Sequence, residues 1–562
     1  MVTSPHSFGW KASLLLVCLT VLIGYKLDWD TLPTISNSVV MESESSRSSR
    51  TFVGNIFYPA APRDTMLLHP GELPGYTGWA RPEHTLAEFF SIVHVSSHFP
   101  TVGQPLIITV QCQGHDDCQK DSSLFFLRAY GPAVVPGIVN DVDRGRGKGV
   151  YNLQFTFHDP GQYTVEAVLT FSTAPPNSAF PVPEEAQQPA YEGYLLPEFP
   201  LIVHVAPATR THGVKQQSGI DSISSGDNLC TIRDMVTTSN TDAIQNARWV
   251  VTGKSNNPGY YVSNVANNAI TKRGYAEGVN SLGVQMEYQH LSNCELLPES
   301  AFDRNLHDQR VFAHCLKNTS KTLRIIYIGD SVLRVQKDKL RQLTNRMSNL
   351  EFHFLLLHFG YRRNQVLGPS NVTAFLNDLQ DRYPNDPKAI LFNTGLHDIH
   401  QLCGAENAED RKTYLDPKRL HSGAFSCTNE YRALLQEFVT RVQEFPAQLK
   451  VFQTTTAAWP KYGNWGIGWE ANAQNMPLVS DFSHAFNDIA VGVLNERNGK
   501  TSAAAAAKDA ERIHMMDAYW MTYARPDNRE IGDIGKKLSH PGDEVLSVMA
   551  RMWSKMILDD VC

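Results

Sequence analysis

The stretch Leu323-Arg-Ile-Ile-Tyr-Ile-Gly-Asp-Ser-Val-Leu-Arg334 decides how the second half of this chain reads. Leu323 to Ile328 is a short, mostly apolar run, the pattern of a strand covered on both faces. Gly329-Asp-Ser331 ends it, and Val332 to Leu350 reads as a helix. A strand that turns into a helix through Gly-Asp-Ser places Ser331 at a helix N-terminus, where the dipole favours developing negative charge. The plainer reading of the same tripeptide is a strand-to-helix turn with Asp330 as the helix cap.

Working outward toward the C-terminus, the texture repeats. Glu351 to Leu357, Ala389 to Phe392, Lys450 to Thr455 and Ile513 to Asp517 read as strands, while Tyr431 to Glu444 and Gly542 to Leu558 read as helices. Strand–helix alternation implies an α/β domain with a parallel sheet flanked by helices. Thr501 to Glu511, with five consecutive alanines, is a low-complexity insertion. In such sheets ligands sit beyond the carboxyl ends of the strands. Ser331, Gly360 in His358-Phe-Gly and Asn393 in Phe392-Asn-Thr-Gly395 all fall there, and His540 in Leu538-Ser-His-Pro-Gly-Asp precedes the last helix. A serine hydroxyl needs a base to become a nucleophile, and His540 is the candidate. An acyl-transfer transition state needs oxyanion donors. The Ser331 N–H, the Gly360 N–H and the Asn393 amide are the three candidates. Each motif alone is weak, and their order at successive strand ends gives them weight.

Toward the N-terminus the pattern changes. Between about His84 and Ala206, short strand-like runs (106–112, 123–129, 149–157, 162–169 and 201–205) are separated by turns such as Asp159-Pro-Gly161. This spacing predicts an all-β sandwich. Residues 207–229 form a polar linker and 28–83 a Ser/Thr-rich stem, leaving 230–562 for the α/β domain. Residues 230–315 carry no assignable pattern. An apolar run within residues 11–27, after a short tail of residues 1–10, reads either as an uncleaved signal anchor or as a cleaved signal peptide. No clean cleavage site follows it. Either way the bulk of the chain lies on the lumenal side, and the anchor reading makes it a single-pass type II membrane protein.

Eight cysteines follow the apolar run: Cys112, Cys118, Cys230, Cys294, Cys315, Cys403, Cys427 and Cys562. Without zinc-finger spacing they read as a disulfide set. Cys112 with Cys118, and Cys403 with Cys427, are candidates for closing short loops. Asn318-Thr-Ser and Asn371-Val-Thr are glycosylation sequons. The net charge of −7, without a basic stripe, argues against a nucleic-acid partner. His397, Asp398 and His400 have spacing akin to metal ligands, but with Cys403 nearby they read as a substrate-side loop, and no metal is expected.

The ordered set resembles the SGNH hydrolase superfamily, with Ser331, Gly360, Asn393 and His540 as its four namesake positions. Ile328-Gly-Asp-Ser-Val-Leu-Arg334 is similar to the opening block of the PC-esterase group. That group includes plant trichome-birefringence-like polysaccharide O-acetyltransferases and animal NXPE (neurexophilin and PC-esterase) proteins. Phe392-Asn-Thr-Gly395 resembles the plant Phe-Asn-Thr-Gly-His block, with Leu396 interposed before His397. Ala247-Arg-Trp-Val250, Cys294, Cys315 and the terminal Cys562 are similar to NXPE segments, and Gly149-Val-Tyr with Asp159-Pro-Gly-Gln-Tyr resembles filamin and immunoglobulin-like repeats. The resemblance implies an O-acyltransferase, most simply O-acetyl, in the Golgi membrane with a lumenal catalytic domain. Its acceptor is a glycan or polysaccharide hydroxyl, its acyl donor is of the acetyl-CoA kind, and it has no resident cofactor. A glycan-ester hydrolase with the same nucleophile, and a secreted or cell-surface binding protein with a silent site, are the alternatives. One departure stands out: the family's Asp three residues before the catalytic His is Lys537 here. Asp533 is the candidate orienting acid, with Asp527 and Asp543 also near. Arg334, one turn past Ser331, is a candidate contact for an anionic donor or acceptor, or else a helical ion-pair partner.

Overall fold

The computed structural model describes residues 86–97, 99–115, 123–140, 149–171, 191–208, 229–239, 244, 246–254, 284–292, 294–298, 321–344, 349–357, 359–362, 365–367, 369–399, 402, 427–457, 476–502, 512–525 and 540–561. The anchor and stem expected at 11–83 lie outside these residues, as do Cys118, Cys315, Cys403, Cys562, Asn318, Asp527, Asp533 and Lys537. Among the described residues no helix is long and apolar enough to cross a membrane.

The first half forms two antiparallel sheets. Strands β1 (Phe90–Val95), β2 (Pro105–Cys112), β3 (Leu124–Tyr130), β4 (Ala133–Pro136), β5 (Ile138–Asn140), β6 (Val150–Thr156), β7 (Gly161–Phe171), β8 (Tyr191–Leu195) and β9 (Leu201–Val205) are followed by β10 (Ala247–Lys254) and β11 (Val284–His290). One sheet runs β1-β2-β6-β5; the other runs β11-β10-β4-β3-β7-β8, with β9 also on β7. Alternating residues such as Leu106, Ile108, Val110, Leu153 and Phe155 on one sheet and Leu127, Ala129, Val165 and Ala167 on the other share one buried core. That is the period-2 packing of two facing sheets. The hairpin β10–β11 comes from the stretch without a readable pattern. It extends the second sheet through Trp249 opposite Val134.

The second half is a parallel sheet of β12 (Leu323–Gly329), β13 (Leu350–Leu356), β16 (Lys388–Phe392), β17 (Leu449–Gln453) and β18 (His514–Met516), ordered β13-β12-β16-β17-β18. Between β13 and β16 comes the small hairpin β14 (Gly360–Arg362) and β15 (Gln365–Leu367). The helices of five or more described residues are α1 (Ser331–Leu343), α2 (Pro369–Arg382), α3 (Cys427–Glu444), α4 (Met476–Ser502), α5 (Tyr519–Tyr523) and α6 (Asp543–Asp560). Every residue of β12 is buried, because both faces are covered. Ile325, Tyr327, Leu391 and Val451 pack with α1 and α6. Ile326, Ile328, Ile390, Phe392 and Phe452 pack with α2, α3 and α4.

Two local expectations change. The helix expected over 332–350 stops at Leu343, and Thr344 turns its hydroxyl back on the Leu340 carbonyl at 2.8 Å, closing the last turn. Helix α4 had no counterpart in the sequence reading. Its Gly492 and Gly499 are poor helix formers, and it is held by buried Phe486, Ala490, Val493 and Leu494 rather than by propensity. Cys230 and Cys294 form a disulfide with Cα atoms 4.8 Å apart, and Cys112 is also disulfide-bonded. Asn371 is exposed in the first turn of α2, as a sequon acceptor requires.

Candidate active site

In the strand order β13-β12-β16, the chain leaves β12 to one side and returns to its other side. The carboxyl ends of β12 and β16 therefore flank the topological switch point, where open α/β sheets form their crevice. Ser331 follows β12 and Asn393 follows β16.

Ser331 is the first residue of α1, half-buried at the mouth of this crevice. Its Oγ lies 2.6 Å from His540 Nε2, across 209 residues of sequence. That is the reach and pairing needed for a base to take the serine proton. His540 is 3% exposed, so water competes little for that nitrogen. It lies just before α6, whose N-cap is Gly542.

Asp330 caps α1, its Oδ1 accepting from the Val332 N–H at 2.9 Å. The plain reading of Gly-Asp-Ser as a capped turn is thus correct, and it is compatible with the serine–histidine pair. The same Asp330 holds Asn393: its N–H donates to Asn393 Oδ1 at 3.2 Å, and Asn393 Nδ2 donates to Asp330 Oδ1 at 3.4 Å. This reciprocal pair fixes which way the amide points, and the second Nδ2 hydrogen has no partner among the described residues. Gly329 is demanded by the close approach, because a Cβ there would stand 2.0 Å from Asn393 Oδ1.

Asp398 is the residue whose placement the sequence did not disclose. It is 1% exposed and turned inward rather than lying on a substrate-side loop. It accepts from the N–H groups of Phe359 and Gly395 and, at 2.9 Å, from the Thr394 hydroxyl. Phe359 immediately precedes Gly360, and Thr394 follows Asn393. One carboxylate therefore ties together the loops that carry two of the three candidate oxyanion donors, Gly360 and Asn393. Burial pushes its pKa up to about 7, against the pull of those three hydrogen bonds. The signal available in the sequence was its setting, between apolar Leu396 and Ile399, both buried in the structure. Farther along, the Thr455 N–H donates to Asn487 Oδ1 of α4 at 2.8 Å, and its carbonyl accepts from Asn487 Nδ2 at 3.1 Å. The Thr455 hydroxyl also donates to the Thr394 carbonyl at 3.1 Å. Gly395, at φ 145°, fits beneath Thr455, where a Cβ would lie 2.3 Å from Oγ1.

Arg334 is exposed on α1 and has no ion pair among the described residues. Asp543, one of the nearby carboxylates, is engaged elsewhere, with Lys339 Nζ at 2.7 Å. His397 is half-buried in the one-turn helix Leu396–Asp398. Among the described residues no group of His, Cys, Asp or Glu is arranged to hold a metal ion.

No family model matches the chain, and no curated protein matches it. Among solved structures it is similar to one described as the crystal structure of the Lin-41 filamin domain. That similarity has 16% identity and a TM-score of 0.15, and covers 21% of this chain and 93% of that one.

Proposed function

We propose that this chain is a serine-dependent O-acyltransferase of SGNH type that moves an acyl group, most simply acetyl, onto a glycan hydroxyl. The observation that carries the reading is the 2.6 Å contact between Ser331 Oγ and His540 Nε2 beside the switch point of a parallel sheet. The braced Asn393 amide supports it. In this reading His540 takes the Ser331 proton as Oγ attacks the carbonyl carbon of the donor. The oxyanion is met by the Ser331 N–H, the Gly360 N–H and the free Asn393 amide hydrogen. Collapse expels the donor's leaving group, which receives the proton from His540. A sugar hydroxyl then gives its proton to His540 and attacks the acyl-serine, and collapse releases the ester and returns the proton to Ser331. Exposed Arg334 meets an anionic group on the donor or acceptor. The two antiparallel sheets are read as an immunoglobulin/filamin-like sandwich, and the chain as anchored with its sites in the Golgi lumen.

The test is product analysis with the full chain, an acetyl-CoA-type donor and a panel of glycans. Acetylated glycan supports the transferase. Free acetate alone means that water wins at the acyl-enzyme, making the protein an ester hydrolase. Failure of a serine-directed fluorophosphonate probe to label Ser331 in folded protein would sink both enzyme readings and leave a binding protein.

A further inference from the structure

Three residues far apart in the sequence meet beside the helix that follows His540. Trp249 lies on β10, within the seven-stranded sheet, Arg525 comes two residues after α5, and Glu544 is in the first turn of α6. The Arg525 side chain is fully buried. Its guanidinium stands 4.5 Å from the centre of the Trp249 ring, and its Nη2 donates to Glu544 Oε2 at 2.7 Å. The platform is itself fixed: the Trp249 indole N–H donates to the Met521 carbonyl on α5 at 2.9 Å. Next to it, the Leu127 N–H of β3 donates to Tyr523 Oη at 3.0 Å, and the Tyr523 ring packs on Phe126 at 5.1 Å.

Burying a guanidinium costs several kcal/mol, and apolar side chains of similar volume often do as well or better for stability. What an arginine supplies that a methionine does not is direction. A planar cation stacked on an indole and bonded to one carboxylate oxygen admits few orientations. Here that direction is imposed on the first turn of α6. Glu544 is four residues from His540. The adjacent Asp543 is tied to Lys339 on α1, eight residues past Ser331. The base is thus delivered by a helix end held from two sides, by the helix that begins at the nucleophile and by the antiparallel sheet.

We infer that Arg525, clamped between Trp249 and Glu544, is a positioning residue for His540. The β-sandwich is then a working part of the Ser331 site rather than a separable binding module. This rests on the Ser331–His540 reading above.

The test uses the full chain with Arg525→Met, Glu544→Gln and Trp249→Phe. Leu153→Ala, in the four-stranded sheet, is the control for general destabilisation. Two rates are read by peptide mass spectrometry on folded protein: fluorophosphonate labelling of Ser331, and carbethoxylation of His540 by diethyl pyrocarbonate. Misplacing a base by about 1 Å costs on the order of 100-fold. Arg525→Met and Glu544→Gln should therefore slow Ser331 labelling about 10- to 100-fold and speed His540 modification, with Trp249→Phe showing the same changes more weakly. Leu153→Ala should leave both rates near wild type even with an equal loss in Tm. Arg525→Lys, which keeps charge but not the planar stack, should recover only part of the rate. If Arg525→Met does not fold, the near-isosteric Glu544→Gln carries the test. Wild-type labelling rates in the clamp variants, or an equal fall in Leu153→Ala, would overturn the inference. If wild type itself fails to label, the enzyme reading fails, and His540 modification still decides the clamp: unchanged rates in the variants reject it.

Discussion

Buried charge is handled differently in the two halves of this molecule. In the sandwich, Arg128 on β3 and Glu166 on β7 are directly paired residues, 0% and 1% exposed, joined at 2.8 and 3.1 Å. Cation meets anion within one ladder. At the carboxyl end of the parallel sheet, Asp330, Asp398 and Asp517 are also buried. Among the described residues they accept from uncharged N–H and O–H donors instead. An ion pair between facing residues of two strands holds their register. Asp398 holds the loops that carry Gly360 and Asn393, while Asp330 and Asp517 receive N–H groups from the first turns of α1 and α5. The first arrangement fixes strand register; the second fixes strand-end loops and helix starts, at a cost in burial.

The sharpest way to break the comparison is to remove the reacting groups. Ser331→Ala or His540→Gln should lower turnover and Ser331-dependent chemistry by at least about 1,000-fold, with an unchanged urea midpoint. Loss of stability without loss of activity would reverse the reading. The mirror experiment is Arg128→Met, which leaves Glu166 buried and unpaired. It should cost about 3–5 kcal/mol in denaturant unfolding, while the folded fraction labels at the wild-type rate. Arg128→Met with Glu166→Leu should recover most of that stability, because both buried charges are removed together.

Gly329→Ala comes next. Its Cβ displaces the Asn393 amide, so kcat should fall by about 100-fold with KM little changed, as for loss of one oxyanion donor. A proportional rise in KM would place Asn393 in binding instead. The smallest effect is expected for Asp398→Asn, about 10-fold in labelling rate, since it loosens two loops without removing a reacting group.

Asp398→Asn also has a signature in pH. The folded pKa of Asp398 is about 7, above its unfolded value near 3.9. Its contribution to stability is therefore fully present below about pH 4 and is lost as pH rises through 7. Asp517, at about 6 through burial, has the same sign. Buried His290 and half-buried His353, each lowered to about 4 mainly by desolvation, have the opposite sign: their contribution is present above about pH 6.5 and lost as pH falls through 4. Thermal unfolding measured across pH 4 to 7 should show Asp398→Asn gaining stability relative to wild type as pH rises. A difference that does not change with pH would mean that Asp398 is ionised throughout and held by its three donors.

Much of the α/β half was legible because its signals are local. An all-buried run such as Leu323–Ile328, bounded by Gly-Asp-Ser, needs no partner to be read as a strand ending at a capped helix. A helix carrying two glycines such as α4 lacks a period regular enough to stand out. The hairpin β10–β11 was hidden for another reason. Its strands are separated by 29 residues (255 to 283), and its place is set by β4 and by Trp249 packing on α5, not by a turn motif.

By itself the sequence determined the alternation of strands and helices, the strand-end position of Ser331 and Asn393, and the set of candidate disulfide cysteines; the Cys230–Cys294 pairing came from the structure. Only the tertiary structure decided the strand order, the inward turn of Asp398, the joining of β10 to the sandwich, and the arrival of His540 within 2.6 Å of Ser331. Secondary structure is written in short-range periodicity and turn chemistry. Which distant elements meet is settled by how buried faces and polar groups can all be satisfied at once, and no single stretch of sequence contains that condition.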